Sequence, residues 1–315
     1  MRYAVVSAVV TDEIHFADGR EKIVPGGAGI YAMCGIRLWE DDVQVVTGVG
    51  EDYRALHGAW YEKNRISMDG LKVKDEKSVY TYVRYFEDGE REETPRYGLS
   101  HFRKLETAGE DMKPLFDTFD GIYIFKNTDE VFWRETLKAC KGYTGKVMWE
   151  IAADAAFSEN RKRVERIAKQ MNGFSINMTE AKKLFGTESR EEIIECLKSW
   201  GIELVFLRQG AKGAVMISRT KTVEVGSEPG VKVEDPTGGG NSSTGGVLCG
   251  LVNGYSPEIC GRMGSISAAM CISQYGVPEE ITEEMRIKAF AKLNEMDKQK
   301  NHAGKRYWHP GMEKE

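Results

Sequence analysis

Short apolar strands alternate with helical patterns along most of this chain, and that alternation limits the available folds more than any other feature. Gly121 to Phe125, Lys146 to Glu150, Phe174 to Ile176 and Leu204 to Leu207 are brief and mostly apolar, as strands covered on both faces must be. Glu130 to Cys140, Asn160 to Gln170, Thr179 to Phe185 and Ser189 to Trp200 carry helical spacing between and after them. Strands separated in this way run parallel, with each helix crossing one face of the sheet. The expected fold class is therefore α/β, a doubly wound, mostly parallel sheet with helices on both faces. Tyr3 to Val10 and Val43 to Val49 read as further buried strands, and Gly213 to Ser218 and Lys221 to Val225 as two more with turn signals. Ser243 to Asn253, Pro257 to Tyr275 and Thr282 to Met296 read as closing helices. A chain of 315 residues can bury one large core, expected over 1–297. Residues 298–315 form a polar tail, either frayed or an arm that docks Tyr307 and Trp308.

One stretch breaks the alternation, from Asp69 to about Gly98. Ser78 to Phe86 is rich in β-branched and aromatic residues, and Glu87-Asp88-Gly89-Glu90 has hairpin-turn chemistry. No helical pattern separates this stretch from Leu71-Lys72-Val73. With Glu13 to Ile23 it reads as a small antiparallel β-sheet lid, its strands inserted at about 11–24 and 69–98. The dense aromatics of Tyr80 to Phe86 suit a face over a ligand, or a homodimer surface.

Composition narrows the classes of partner. Net charge is −5 with no Lys/Arg-rich block, so binding to nucleic acid through a basic face is disfavoured. No apolar run approaches membrane-spanning length. Met1-Arg2-Tyr3 leads straight into a strand with no signal-peptide cleavage pattern. The six cysteines show no CxxC spacing and sit mostly among apolar neighbours, as buried thiols of a cytoplasmic protein do.

Two glycine-rich stretches carry the chemistry. Asp235-Pro236-Thr237-Gly238-Gly239-Gly240-Asn241 lies between strand-like Val231-Lys232-Val233 and an apolar helical segment. Glycines at such a junction leave backbone N–H groups uncovered at a helix N-terminus, where the dipole also favours an anion. A surface loop with an Asn or Ser cap has the same sequence. Pro25-Gly26-Gly27-Ala28-Gly29 precedes a buried helical segment, as a hinge or as a close approach to a ligand. Asp12, beyond the first strand, stands where a parallel sheet meets its ligand crevice, although a solvated loop Asp fits that position equally well.

These motifs fall in an order that resembles the PfkB (ribokinase-like) carbohydrate kinases over roughly residues 1–290. Asp235 to Asn241 matches the family's closing signature at every glycine, and Gly26-Gly27 its N-terminal di-glycine. Gly48-Val49-Gly50-Glu51-Asp52, Asn177-Met178-Thr179-Glu180 and Gly210-Ala211-Lys212-Gly213 match three more of its motifs. Trp149-Glu150 and Asp-Pro-Thr-Gly-Gly-Gly-Asn look like the divergent branch that includes fungal maintenance-of-killer-type proteins.

The resemblance implies a ribokinase-like domain that transfers the γ-phosphoryl group of ATP to a hydroxyl of a sugar, nucleoside or similar small molecule. It implies ATP and Mg²⁺, with a monovalent cation as a further candidate ion. Asp12, Gly26, Gly27 and Tyr31 would then lie at the substrate. Asn177, Glu180, Gly210, Gly213 and Asp235 would serve the nucleotide, with Glu180 acting on Mg²⁺ through water. Gly238, Gly239 and Gly240 would form the anion hole. Taken alone, Asn177 and Glu180 are also a helix capping box.

The family's general base is the Asp that ends the closing signature, and here that residue is Asn241. A carboxamide orients a hydroxyl but does not take its proton. Three outcomes remain: a slow kinase in which Asp235 or a water replaces the base, an acceptor that needs no base, or a non-catalytic pseudokinase. The last would act as a nucleotide or metabolite sensor or as a structural subunit. Asn241→Asp is expected to raise turnover.

Overall fold

The computed structural model describes residues 1–86 and 91–299. The chain opens with β1 (Arg2–Val6), β2 (Val10–His15), β3 (Glu21–Gly26), α1 (Ala28–Arg37), β4 (Asp42–Gly50) and α2 (Tyr53–Lys63). There follow β5 (Leu71–Asp75), β6 (Tyr80–Tyr85), β7 (Arg91–Pro95), α3 (Gly98–Leu105) and α4 (Lys113–Phe116). The alternating region holds β8 (Gly121–Lys126), α5 (Glu130–Ala139), β9 (Lys146–Ile151), α6 (Arg161–Ala168), β10 (Gly173–Asn177), α7 (Met178–Phe185), α8 (Arg190–Ser199) and β11 (Leu204–Arg208). The chain continues through β12 (Ala214–Ser218), β13 (Thr222–Val225), α9 (Gly239–Val252), α10 (Pro257–Ile272) and α11 (Glu283–Gln299).

The main sheet has nine strands in the order β13-β12-β11-β10-β9-β8-β1-β4-β5. The pairings from β11 through to β5 are parallel, and β12 and β13 add an antiparallel edge. Side chains alternate across it, so one strand feeds two cores. Tyr3 and Val5 of β1 join the core built with α1, α9, α10 and α11. Ala4 and Val6 join the core built with α5 to α8. The doubly wound α/β reading holds.

A second sheet, in the order β3-β2-β6-β7, forms the lid. Its β2–β6 pairing is parallel while β2–β3 and β6–β7 are antiparallel, so the sheet is mixed rather than antiparallel throughout. Ile14, Val24 and Val83 give it a small core of its own. Two expected boundaries shift. The run Tyr3 to Val10 divides into β1 and β2, because the carbonyl of Ala8 turns to accept the N–H of Gly29 and Val10 joins a separate cluster with Val79 and Leu105. Leu71-Lys72-Val73 belongs to β5 at the edge of the main sheet, paired parallel to β4. The hairpin turn at 87–90 and the tail residues Tyr307 and Trp308 lie outside the described residues.

α2 was not among the expected elements. Its mixed composition conceals a buried stripe at Tyr53, His57 and Tyr61, each four residues after the last. His57 bridges to the lid's root, its Nε2 lying 2.8 Å from the hydroxyl of buried Thr11 on β2. Burial pushes the imidazole down from 6.5 to about 4, against a smaller upward pull from Asp52. As pH falls below 6.5 the unfolded chain takes this proton first. The stabilisation is therefore whole above pH 6.5 and is lost progressively down to about 4. Between pH 7 and pH 4 the parent should lose about 3 kcal/mol more stability than His57→Gln in urea titrations, and equal losses would contradict the assignment.

Candidate active site

The lid closes over the main sheet and encloses a cleft of about 250 Å³. Its walls combine apolar and aromatic groups, among them Tyr31, Val83, Tyr85 and Phe102, with Asp12, Glu93 and Asp235. Asp12 sits within β2, on a lid strand rather than at the end of β1, and is nearly buried. Gly26, diagonal to it on β3 where it pairs with Val10, makes this possible: a Cβ there would lie 1.8 Å from the Asp12 carboxylate. Gly27 caps α1 and also lines the cleft.

The floor is the start of α9. The expected strand at Val231 to Val233 is absent. This segment instead runs beside the end of α10, where the N–H groups of Glu234 and Asp235 both donate to the carbonyl of Ile272. Gly238 turns the chain with φ +74, and a Cβ there would lie 2.1 Å from the Tyr31 ring. The helix then begins at Gly239, earlier than expected, so Gly239, Gly240 and Asn241 form its first turn. No side chain caps that end, which sets aside the Asn/Ser-cap alternative. The N–H groups of Gly240 and Asn241 have no intrahelical acceptor.

Asp235 does not stand ready as a base. Its Oδ1 accepts from the Thr237 N–H at 2.9 Å and hydroxyl at 2.5 Å, and its Oδ2 accepts from the Tyr85 hydroxyl at 2.8 Å. It fastens the lid to the loop and sits on the cleft side. Gly210 and Gly213 are not among the lining residues; they belong to the turn between β11 and β12. Asn177 and Glu180 form the capping box of α7: Asn177 Oδ1 accepts from the Glu180 N–H at 2.8 Å, and Glu180 Oε2 accepts from the Asn177 N–H at 2.9 Å. Burial raises the carboxyl of Glu180 above its ordinary range, with the nearby Arg208 charge opposing the shift.

Beneath Asn241 lies a polar cluster that was not anticipated. Glu150, at the end of β9, is 2% exposed. Its Oε1 forms an ion pair with Arg208 Nη2 at 3.0 Å and accepts from Asn241 Nδ2 at 3.1 Å, and its Oε2 accepts from the Tyr123 hydroxyl at 2.9 Å. Asn241 Nδ2 also donates to the Tyr123 oxygen at 3.2 Å. Burial, then the Glu150 charge, pushes the Tyr123 hydroxyl well above its usual range. Arg208 ends β11 and reaches Glu180 at 3.8 Å, while its buried Nε has no partner among the described residues. Both Glu150 and Arg208 are charged residues closing apolar strands, and that signal was present in the sequence. Charge at the C-terminal ends of parallel strands marks the ligand crevice.

A family model, that of the pfkB carbohydrate kinases, matches residues 2–284. Cytidine kinase of Thermococcus kodakarensis is 26% identical over 280 residues, covering 86% of this chain and 96% of that protein. Protein MAK32 of Saccharomyces cerevisiae is 25% identical over 318 residues, covering 86% of each, in keeping with the fungal branch expected from the sequence. A putative Ribokinase II from E. coli, solved in complex with ATP and Mg²⁺, superposes with a TM-score of 0.73 at 15% identity, over 91% of this chain and 99% of that one. Among the described residues no helix is long and apolar enough to cross a membrane.

Proposed function

The chain belongs to the pfkB family of carbohydrate kinases, and from that footing we propose that it transfers the γ-phosphoryl group of ATP to a hydroxyl of an uncharged nucleoside or sugar. The supporting observation is the cleft itself. The described residues lining it include three carboxylates, Asp12, Glu93 and Asp235, and no basic side chain. A sugar phosphate or sugar acid would meet like charge there. Tyr31, Tyr85 and Phe102 offer apolar and aromatic surface for a base as well as for a ring of hydroxyls. The likeness to a cytidine kinase over most of the chain favours the nucleoside.

In this reading Asp12 accepts hydrogen bonds from acceptor hydroxyls, with Gly26 and Gly27 admitting the substrate's approach beside Tyr31. The glycine-rich first turn of α9 receives the transferred group through its N–H donors. Gly210 and Gly213 shape the turn beyond β11 on the nucleotide side. Among the described residues no group of three or more His, Cys, Asp or Glu side chains forms a metal cage. Mg²⁺ in such sites is held mainly by phosphates and water with one or two carboxylates. Glu180, a hard oxygen donor beside the crevice, is the carboxylate that would hold it, with Asn177 fixing its backbone. When bound, Mg²⁺ neutralises charge between the phosphates.

The acceptor oxygen bonds to the γ-phosphorus as the bond from that phosphorus to the bridging oxygen breaks. ADP leaves, and the hydroxyl proton passes to water. Asn241 orients the hydroxyl without taking the proton, which lowers the rate by about 10²–10⁴-fold; positioning and charge neutralisation still carry the reaction. The same neutral amide supports a second reading, a sensor that binds nucleotide without turnover. Calorimetric titration with Mg·ATP tests both readings, with one site per chain and a Kd between micromolar and millimolar expected. No heat at millimolar Mg·ATP would overturn them.

A further inference from the structure

The buried cluster under α9 gives the Asn at 241 a specific physical reason. A carboxylate accepts hydrogen bonds and donates none. Glu150 Oε1, 3.1 Å from the Asn241 amide, therefore requires nitrogen on its side of that group. The Tyr123 hydroxyl gives its proton to Glu150 and presents its lone pairs to the same nitrogen. With Nδ2 held from below by two acceptors, Asn241 Oδ1 is the atom left for the cleft, and no described group donates to it.

We propose that Glu150 is a positioning residue matched to Asn241, and that the two divide the work a single Asp would otherwise do. Asn241 presents a fixed oxygen to the acceptor hydroxyl, and the negative charge stands behind it on Glu150. The proposal rests on the phosphotransfer reading for its function, while the pairing itself is a matter of stability. An Asp at 241 would set a second carboxylate against Glu150, whose one ion-pair partner among the described residues is Arg208, a charge that Glu180 also shares at 3.8 Å. Like charges that close in a buried site are strongly unfavourable. Asn241→Asp alone therefore does not recover a faster enzyme, contrary to what the sequence implied. Moving the amide to the other partner, as Asn241→Asp with Glu150→Gln, restores one charge and one donor: the introduced Gln amide can donate to the introduced carboxylate, and Arg208 retains a carboxylate neighbour.

The test compares parent, Asn241→Asp, Glu150→Gln and the double variant by thermal unfolding without nucleotide, then by turnover of Mg·ATP with acceptor. Asn241→Asp should lower Tm by about 3–6 °C, and adding Glu150→Gln should recover most of that loss. In turnover, the double variant should exceed Asn241→Asp by about tenfold in kcat with little change in KM, a rescue that a purely structural role would not produce. A double variant no more stable than Asn241→Asp, or single effects that simply add, would overturn the pairing. The comparison that decides is between Asn241→Asp and the double variant, so it stands even where Glu150→Gln alone fails to fold. Absence of turnover in every variant, with the stability rescue intact, would count against the kinase reading and leave the pairing supported.

Discussion

Gly238→Ala is expected to abolish Mg·ATP binding and to lower any phosphoryl transfer at least about 100-fold while the protein stays folded. Two independent constraints act at this position. The residue holds φ +74, a left-handed conformation that costs a non-glycine residue about 1–2 kcal/mol. The added Cβ would also lie 2.1 Å from the Tyr31 ring, an overlap that only movement of the ring or the loop relieves. Tyr31 is buried in the α1 core, so the loop is the softer partner. Its movement displaces the first turn of α9, where the uncapped N–H groups lie. Calorimetry and steady-state rates check this together. Unchanged Mg·ATP affinity in a folded Gly238→Ala protein would remove the first turn of α9 from the binding site.

Arg208→Met is expected to destabilise the fold by about 3–5 kcal/mol, read as a displaced urea midpoint with an unchanged slope. Among the described residues Arg208 is the cation that forms an ion pair with Glu150, and Glu150 is almost wholly buried. Removing one partner of a buried ion pair leaves the other charge uncompensated, which costs far more than the pair contributes. Two donors to Glu150 would survive, from Tyr123 and Asn241, but neither carries charge. A second substitution, Glu150→Leu in the Arg208→Met background, should recover much of the loss. If Arg208→Met unfolds at the parent's midpoint, the ion pair has no structural weight and the cluster is solvated.

The main sheet was legible because its strands are fully covered and its helices amphipathic, so that Tyr123, Trp149, Phe174 and Phe206 fall within unmistakable apolar runs. The lid was legible as a break in that pattern. What stayed hidden depends on non-local pairing. Nothing local in Leu71 to Val73 says that it pairs with β4 rather than with the lid. The position of Asp12 on a lid strand follows from the turn at Ala8, which is fixed by Gly29 from α1. The glycine loop was recognised by composition, yet its first helical turn starts at Gly239 because a left-handed Gly238 precedes it. Glu150 was legible only as part of a branch motif, and Arg208 not at all, because each is a single charge at the end of a strand. Their meaning appears only when β9 and β11 are placed on either side of β10. Asn241 read as the loss of a base when seen alone; beside Glu150 it is half of a pair.

The most direct test of the phosphotransfer claim is mass analysis of reactions containing the protein, Mg·ATP and a panel of uncharged nucleosides and sugars. The expected result is an acceptor heavier by one phosphoryl group, formed in equal amount with ADP and faster with a nucleoside than with a sugar phosphate offered in parallel. Saturating Mg·ATP binding with no phosphorylated product from any acceptor, in the parent and in the Asn241→Asp, Glu150→Gln double variant alike, would contradict it.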